Sequence, residues 1–192
     1  LNILKKRELL FSLTLREINQ KYKGTSLGII WSIIYPLLML SVYGVVFGGI
    51  FNSRWRPQGE IKEFLLMVFC GLIIHNLVSE TLTKAPSAIY NNPNYIKKVI
   101  FPVELIPISQ LGAAVFNLLI GIFLVIIFLL FQSSLPYSFF LFPIAITPLI
   151  ILTAGFSCFL SALGVFFRDI DQLIGILMSI LLFLSPIFYP LS

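Results

Sequence analysis

His75, Asn76, Ser79 and Glu80, with Asn117 further on, are polar groups set within or at the edge of long uncharged runs. At membrane depth a histidine and a carboxylate are the parts of a proton relay, while amides there make hydrogen bonds between helices, because an unpaired polar group in hydrocarbon is costly. His75 and Glu80 stand five residues apart, off the three- or four-residue spacing that shares a helix face. A relay also needs a chain of such groups, and the sequence has 1 histidine. Hydrogen bonding between helices is the preferred reading for His75 and Asn76; a proton-coupled carrier or membrane-embedded enzyme using His75 and Glu80 is the alternative. The sequence holds no GxxxxGK[ST] phosphate loop, no HExxH, no Cys/His metal spacing and no carboxylate pair placed for glycosyl chemistry. No catalytic or metal-ligating residue is assigned, and a self-contained ATPase or metalloenzyme is disfavoured.

What must position these groups is a set of long apolar helices. The 192 residues are 58% hydrophobic and only 11% charged, with a mean hydropathy of +1.01; a soluble domain carries about 25% charge. Uncharged runs cover 24–53, 64–79, 105–167 and 172–192, and runs of about 18 or more apolar residues read as membrane spans. Spans are expected at 29–51, 64–83, 105–131, 139–166 and 172–189, with "QSSLPY" turning the chain between the third and fourth. The fold class is an all-α polytopic membrane protein, 1–192 forming one transmembrane domain. Residues 1–23 are too charged to be a signal peptide. Cys70 and Cys158 lie in apolar runs and read as small hydrophobes.

Loop cations orient the chain. With the N-terminus cytoplasmic, the inner segments carry Lys5, Lys6, Arg7, Arg16, Lys21, Lys23, Lys84, Lys97, Lys98 and Arg168, and the outer ones only Arg54, Arg56 and Lys62. The net charge of +5 then reflects retention beside anionic lipid, and no nucleic acid is needed to explain it.

In residues 1–23, Leu4, Phe11, Leu15, Ile18 and Tyr22 recur at helical spacing and make one apolar stripe, while Arg16 points away. With Lys21 near its end, the segment reads as an amphipathic interface helix. Gly24-Thr25-Ser26-Leu27-Gly28 follows. Glycine can end that helix in the left-handed region and Thr25 or Ser26 can cap the next, so Gly24 and Gly28 form a hinge or a fixed bend from along the membrane to across it. Between spans two and three, "KAPSAIYNNPNYIKKVIFPVELIP" carries Ser87, Tyr90, Asn91, Asn94, Tyr95, Lys97 and Lys98, a partner-binding pattern of short helices. Gly44-x-x-x-Gly48, and Ala154, Cys158 and Ala162 at four-residue spacing, would let helices approach closely.

"LREINQKYKGTSLGIIWSIIYPLLMLSVYGVVFGGIF", "NNPNYIKKVIFPVELIPI" and "FRDIDQLIGILMSILLFLSPIFYP" resemble, in order and spacing, the permease subunits of type-2 ABC exporters for O-antigen, capsular polysaccharide or teichoic acid. The resemblance implies a homodimer in the bacterial cytoplasmic membrane, with separate ATPase subunits that use ATP and Mg; this chain would bind no cofactor. It implies as cargo a glycan on an undecaprenyl-diphosphate carrier, a type-2 permease for a drug or small lipid being the variant reading. It places the interface helix against the ATPase, the coupling helix at about 87–99, and a second ATPase-proximal loop at the "RDID" turn, Arg168 to Asp171, with Arg168 and Asp169 as its candidate contacts. Family members have six spans, so the chain, starting at Leu1 and stopping at Ser192, is expected to be a fragment without the outer re-entrant helices and last span.

Overall fold

The structure, a computed structural model, describes residues 3–46, 61–92, 101–131 and 141–187. Those residues form six α-helices and no strand: α1 (Ile3–Tyr22), α2 (Trp31–Tyr43), α3 (Ile61–Lys84), α4 (Leu105–Phe131), α5 (Phe142–Phe166) and α6 (Ile170–Leu184). Four apolar stretches are long enough to cross a membrane: Gly28–Val46, Phe64–Lys84, Leu105–Phe131 and Phe142–Phe166. The protein is an all-α polytopic membrane protein. Large apolar side chains such as Ile151, Phe156, Phe159, Leu173, Ile176 and Phe183 cover the outward faces of α5 and α6, at least half exposed, a surface suited to lipid rather than water.

The expected fifth span is shorter in the structure. Helix α6 has 15 residues, about 22 Å against a hydrocarbon core of about 30 Å. It stops because Ser185, with φ −74° and ψ 145°, precedes Pro186, whose ring disfavours helical geometry in the residue before it. The connection at 132–138 and Gly48 lie outside the described residues.

Helices α3 and α4 pack most extensively and form the centre of the bundle. Phe69, Ile73 and Leu77 of α3 meet Leu111, Ala114 and Leu118 of α4 in its buried core. A second cluster joins α3 to α6 at Leu72 and Leu182, and a third joins Leu82, Leu160 and Met178.

Helix α1 lies lengthwise on α4. Lys6 reaches Glu104 at 3.7 Å, Thr14 backs onto Gly112, and Tyr22 bonds Asn117, so both helices run the same way. The face it buries carries Leu13 and Ile18, while Phe11 and Leu15 are 66% and 43% exposed. Of the stripe's described side chains, Ile18 and Tyr22 pack inward while Phe11 and Leu15 face out of the protein; Leu13, which lies off the stripe, is buried, and Gly112 leaves room for Thr14 beside it.

After α1 the chain turns through Gly24 at φ +85° and Gly28 at φ +55°, both in the left-handed region where a Cβ is strained. Thr25 does not cap the following helix. Its hydroxyl donates back to the Tyr22 carbonyl at 2.8 Å, sealing the end of α1, and the 3-10 turn Gly28–Ile30 that leads into α2 has no side-chain cap.

Small residues also define the approach of α5, one position away from the expected stripe. Thr153, Ser157, Ser161 and Gly164 are buried, whereas Ala154 and Cys158 are half-buried and Ala162 is exposed. The hydroxyls of Thr153 and Ser161 donate to the Leu149 and Cys158 carbonyls of their own helix, which removes the penalty of placing them in an apolar contact.

Candidate functional site

Glu80, one turn from the end of α3, gathers partners from three helices. Its Oε1 accepts from Lys21 Nζ at 2.7 Å and from Lys84 Nζ at 3.0 Å. Asn117 Nδ2 of α4 donates to Oε2 at 2.8 Å, and the Asn117 amide oxygen accepts from the Tyr22 hydroxyl at 3.1 Å. Lys84 reaches its carboxylate from the next turn of the same helix, the i,i+4 geometry that favours such a pair. Lys21 and Tyr22 come from the last turn of α1, placed there by its packing on α4. The Glu80 side chain keeps 18% of its exposure. Burial, and then the Glu80 charge, push the Tyr22 phenol above its usual 10.0, so it stays a neutral donor.

This cluster borders a cleft of about 540 Å³ between α1, α2, α3 and α4, which Trp31, Ser32 and Tyr35 of α2 also line. Asn76 lines both this cleft and a second one of about 300 Å³ toward α6. His75 Nε2 donates to the Met178 carbonyl of α6 at 3.0 Å. Among the described residues no hydrogen bond joins His75 to the Glu80 cluster, so the two groups sit in separate networks. Their arrangement ties helices together: His75 joins α3 to α6, and Glu80 joins α3 to α1 and α4. No three His, Cys, Asp or Glu side chains gather to hold a metal ion among the described residues.

The loop after α3 makes a second contact region. Residues 85–92 wind through hydrogen-bonded turns, Asn91 N–H to Ser87 O at 3.0 Å and Asn92 N–H to Ile89 O at 3.1 Å, and do not form a regular helix. Ser87 itself donates to the Lys84 carbonyl, and Asn91 is exposed. Ala85, Pro86 and Ala88 are buried, Ala85 beside Leu160 of α5 and Pro86 where Gly164 leaves room for its backbone. Tyr90 donates a short hydrogen bond to Asp171 Oδ2 in the first turn of α6, and that bond pushes the Tyr90 phenol upward. Arg168 and Asp169 form the exposed turn before α6. Within the "RDID" turn the acidic side chain that meets the loop is Asp171, two residues beyond Asp169. Asn94, Tyr95, Lys97 and Lys98 lie outside the described residues. Arg16 is solvent-facing on α1.

Sequence reasoning also missed the close approach of Gly164 to Pro86. The signal available was the run of small residues in α5, which gives periodicity without saying which phase faces the protein.

A family model described as "ABC-2 type transporter" matches residues 8–192. An O-antigen export system permease protein RfbA of Myxococcus xanthus is 28% identical over 187 residues, covering 97% of this chain and 70% of that protein. An RfbA of Klebsiella pneumoniae is 27% identical over 184 residues, covering 95% of this chain and 69% of its own length.

Proposed function

Since the chain belongs to the ABC-2 type transporter membrane family, we propose that it is the transmembrane subunit of an ATP-driven exporter for a lipid-linked polysaccharide such as O-antigen, capsule or teichoic acid. The observation that carries this reading is likeness to O-antigen export permeases along nearly the whole chain. The subunit performs no covalent chemistry; a separate ABC ATPase binds ATP and Mg and hydrolyses the nucleotide. Two copies form the path in the bacterial inner membrane, N-termini cytoplasmic, and an undecaprenyl-diphosphate carrier presents the glycan.

Two features suit such a machine. Helix α1 is fastened through Lys21 and Tyr22 to both central helices, so force on its outer face, Phe11 and Leu15 included, reaches the bundle. The loop after α3 is fastened to α6 through Tyr90 and Asp171, so a displacement of the coupling segment is felt by α6. Gly24 and Gly28 are the corner at which α1 and α2 can change angle.

The test is a deletion strain complemented with the wild-type gene or with Lys97 and Lys98 reversed in charge. Loss of surface polysaccharide with unchanged drug sensitivity supports glycan export. Altered drug sensitivity with intact polysaccharide overturns it in favour of a small-molecule cargo. Unchanged export in the charge-reversed strain removes those lysines from coupling.

A further inference from the structure

We infer that the 540 Å³ cleft between α1, α2, α3 and α4 binds the phosphate group of a membrane lipid, with Lys84 and Lys21 as its anion contacts. Two ammoniums face one carboxylate there, leaving a net positive charge. Each ammonium has three N–H donors, and among the described residues the acceptor for both is a single oxygen, Glu80 Oε1. Their remaining donors are open to a ligand: the Lys84 and Lys21 side chains are 46% and 35% exposed.

Depth favours a headgroup. Lys84 ends the span Phe64–Lys84, and Trp31 and Tyr35, which line the same cleft, stand in the first turns of α2. Aromatic rings at span ends sit at the level of lipid headgroups, and basic clefts between helices at that level are suited to anionic ones.

Shape favours a lipid over a free anion. From the charged cluster the cleft continues toward Ile73, Leu118 and Gly121, which belong to the apolar core of α3 and α4. One end is cationic and the other apolar, so an amphiphile fills both and a soluble phosphate only the first. A bilayer phospholipid and the carrier phosphate of the proposed cargo present the same chemistry, and the site stands whichever cargo is exported.

The experiment measures retention of phosphatidylglycerol against phosphatidylcholine by the purified full chain in detergent, using native mass spectrometry. Lys84→Gln should weaken phosphatidylglycerol retention about five-fold, the effect of one basic side chain near an anionic surface, and Lys21→Gln provides an independent measure. Glu80→Gln should strengthen it, because removing the competing carboxylate frees both ammoniums; a purely structural cluster would move the other way. Polyprenyl phosphate competing at lower concentration than phosphatidylglycerol assigns the site to the carrier, and equal competition assigns it to bulk lipid. Displacement by inorganic phosphate as effective as by either lipid overturns the inference. So does retention unchanged in both lysine variants, or lowered by Glu80→Gln.

Discussion

Replacing Gly164 with alanine sets two effects of opposite sign against each other. Alanine gains about 1 kcal/mol over glycine inside a helix. The new Cβ, however, would lie 2.6 Å from both the carbonyl carbon and the Cα of Pro86, and closer still to its oxygen, where ordinary contact begins near 3.4 Å. The obstruction is backbone, which has no rotamer to yield, and Pro86 is fully buried. Overpacking costs about 1–3 kcal/mol, and a rigid neighbour belongs at the upper end, so Gly164→Ala should be destabilising by about 1–2 kcal/mol net. Gly155 on the same helix has nothing within 4 Å of the corresponding point, so Gly155→Ala should gain up to about 1 kcal/mol. At about 2–4 °C per kcal/mol for a chain of this size, the two variants should melt about 2–12 °C apart in detergent. A Gly164→Ala protein that melts at or above the wild type would refute the close approach of loop and helix.

Asn117→Ala should be destabilising by about 1–3 kcal/mol in the same assay, since it leaves Glu80 Oε2 and the Tyr22 hydroxyl without their shared partner. Gly24→Ala should cost about 1–2 kcal/mol, the penalty of a Cβ in the left-handed region, and Gly24→Asn should recover part of it. Tyr90→Phe removes the donor to Asp171 and should speed amide hydrogen exchange in 85–92, leaving α4 protected as before. Because burial and the Glu80 charge raise the Tyr22 phenol above 10.0, the fold favours its neutral form. That contribution is present below pH 10.0 and disappears as pH rises through the higher folded value; a spectrophotometric titration should show this tyrosine ionising late.

Composition and charge clustering made the helical membrane class legible, since 21 charged residues in 192 leave few other arrangements for such long apolar runs. The corner at Gly24 and Gly28 was legible because few other residues hold a left-handed backbone cheaply. Polar residues at membrane depth were found as features, yet their partners were not. Glu80 meets Lys21 across 59 positions and Asn117 across 37, and no local periodicity carries that pairing. The close-packing stripe of α5 lies one step from the one expected, because a helix with small residues on several sides has a period but no unique phase. Gly164 sets the phase through the neighbour it admits, which is a property of the packed bundle.

The bond between Tyr22 and Asn117 joins residues 95 positions apart. A chain emerging from its N-terminus has made α1, α2 and α3 before the helix that α1 packs against exists. Until α4 arrives, Leu13 and Ile18 have no groove, and Glu80 has Lys84 of its own helix but neither the Asn117 amide nor the Lys21 that packing on α4 brings to it. The first helix to be synthesised is among the last to be placed. A translational pause before Asn117, or a membrane insertase that shelters an amphipathic segment, would therefore act on the one element whose docking completes the polar cluster.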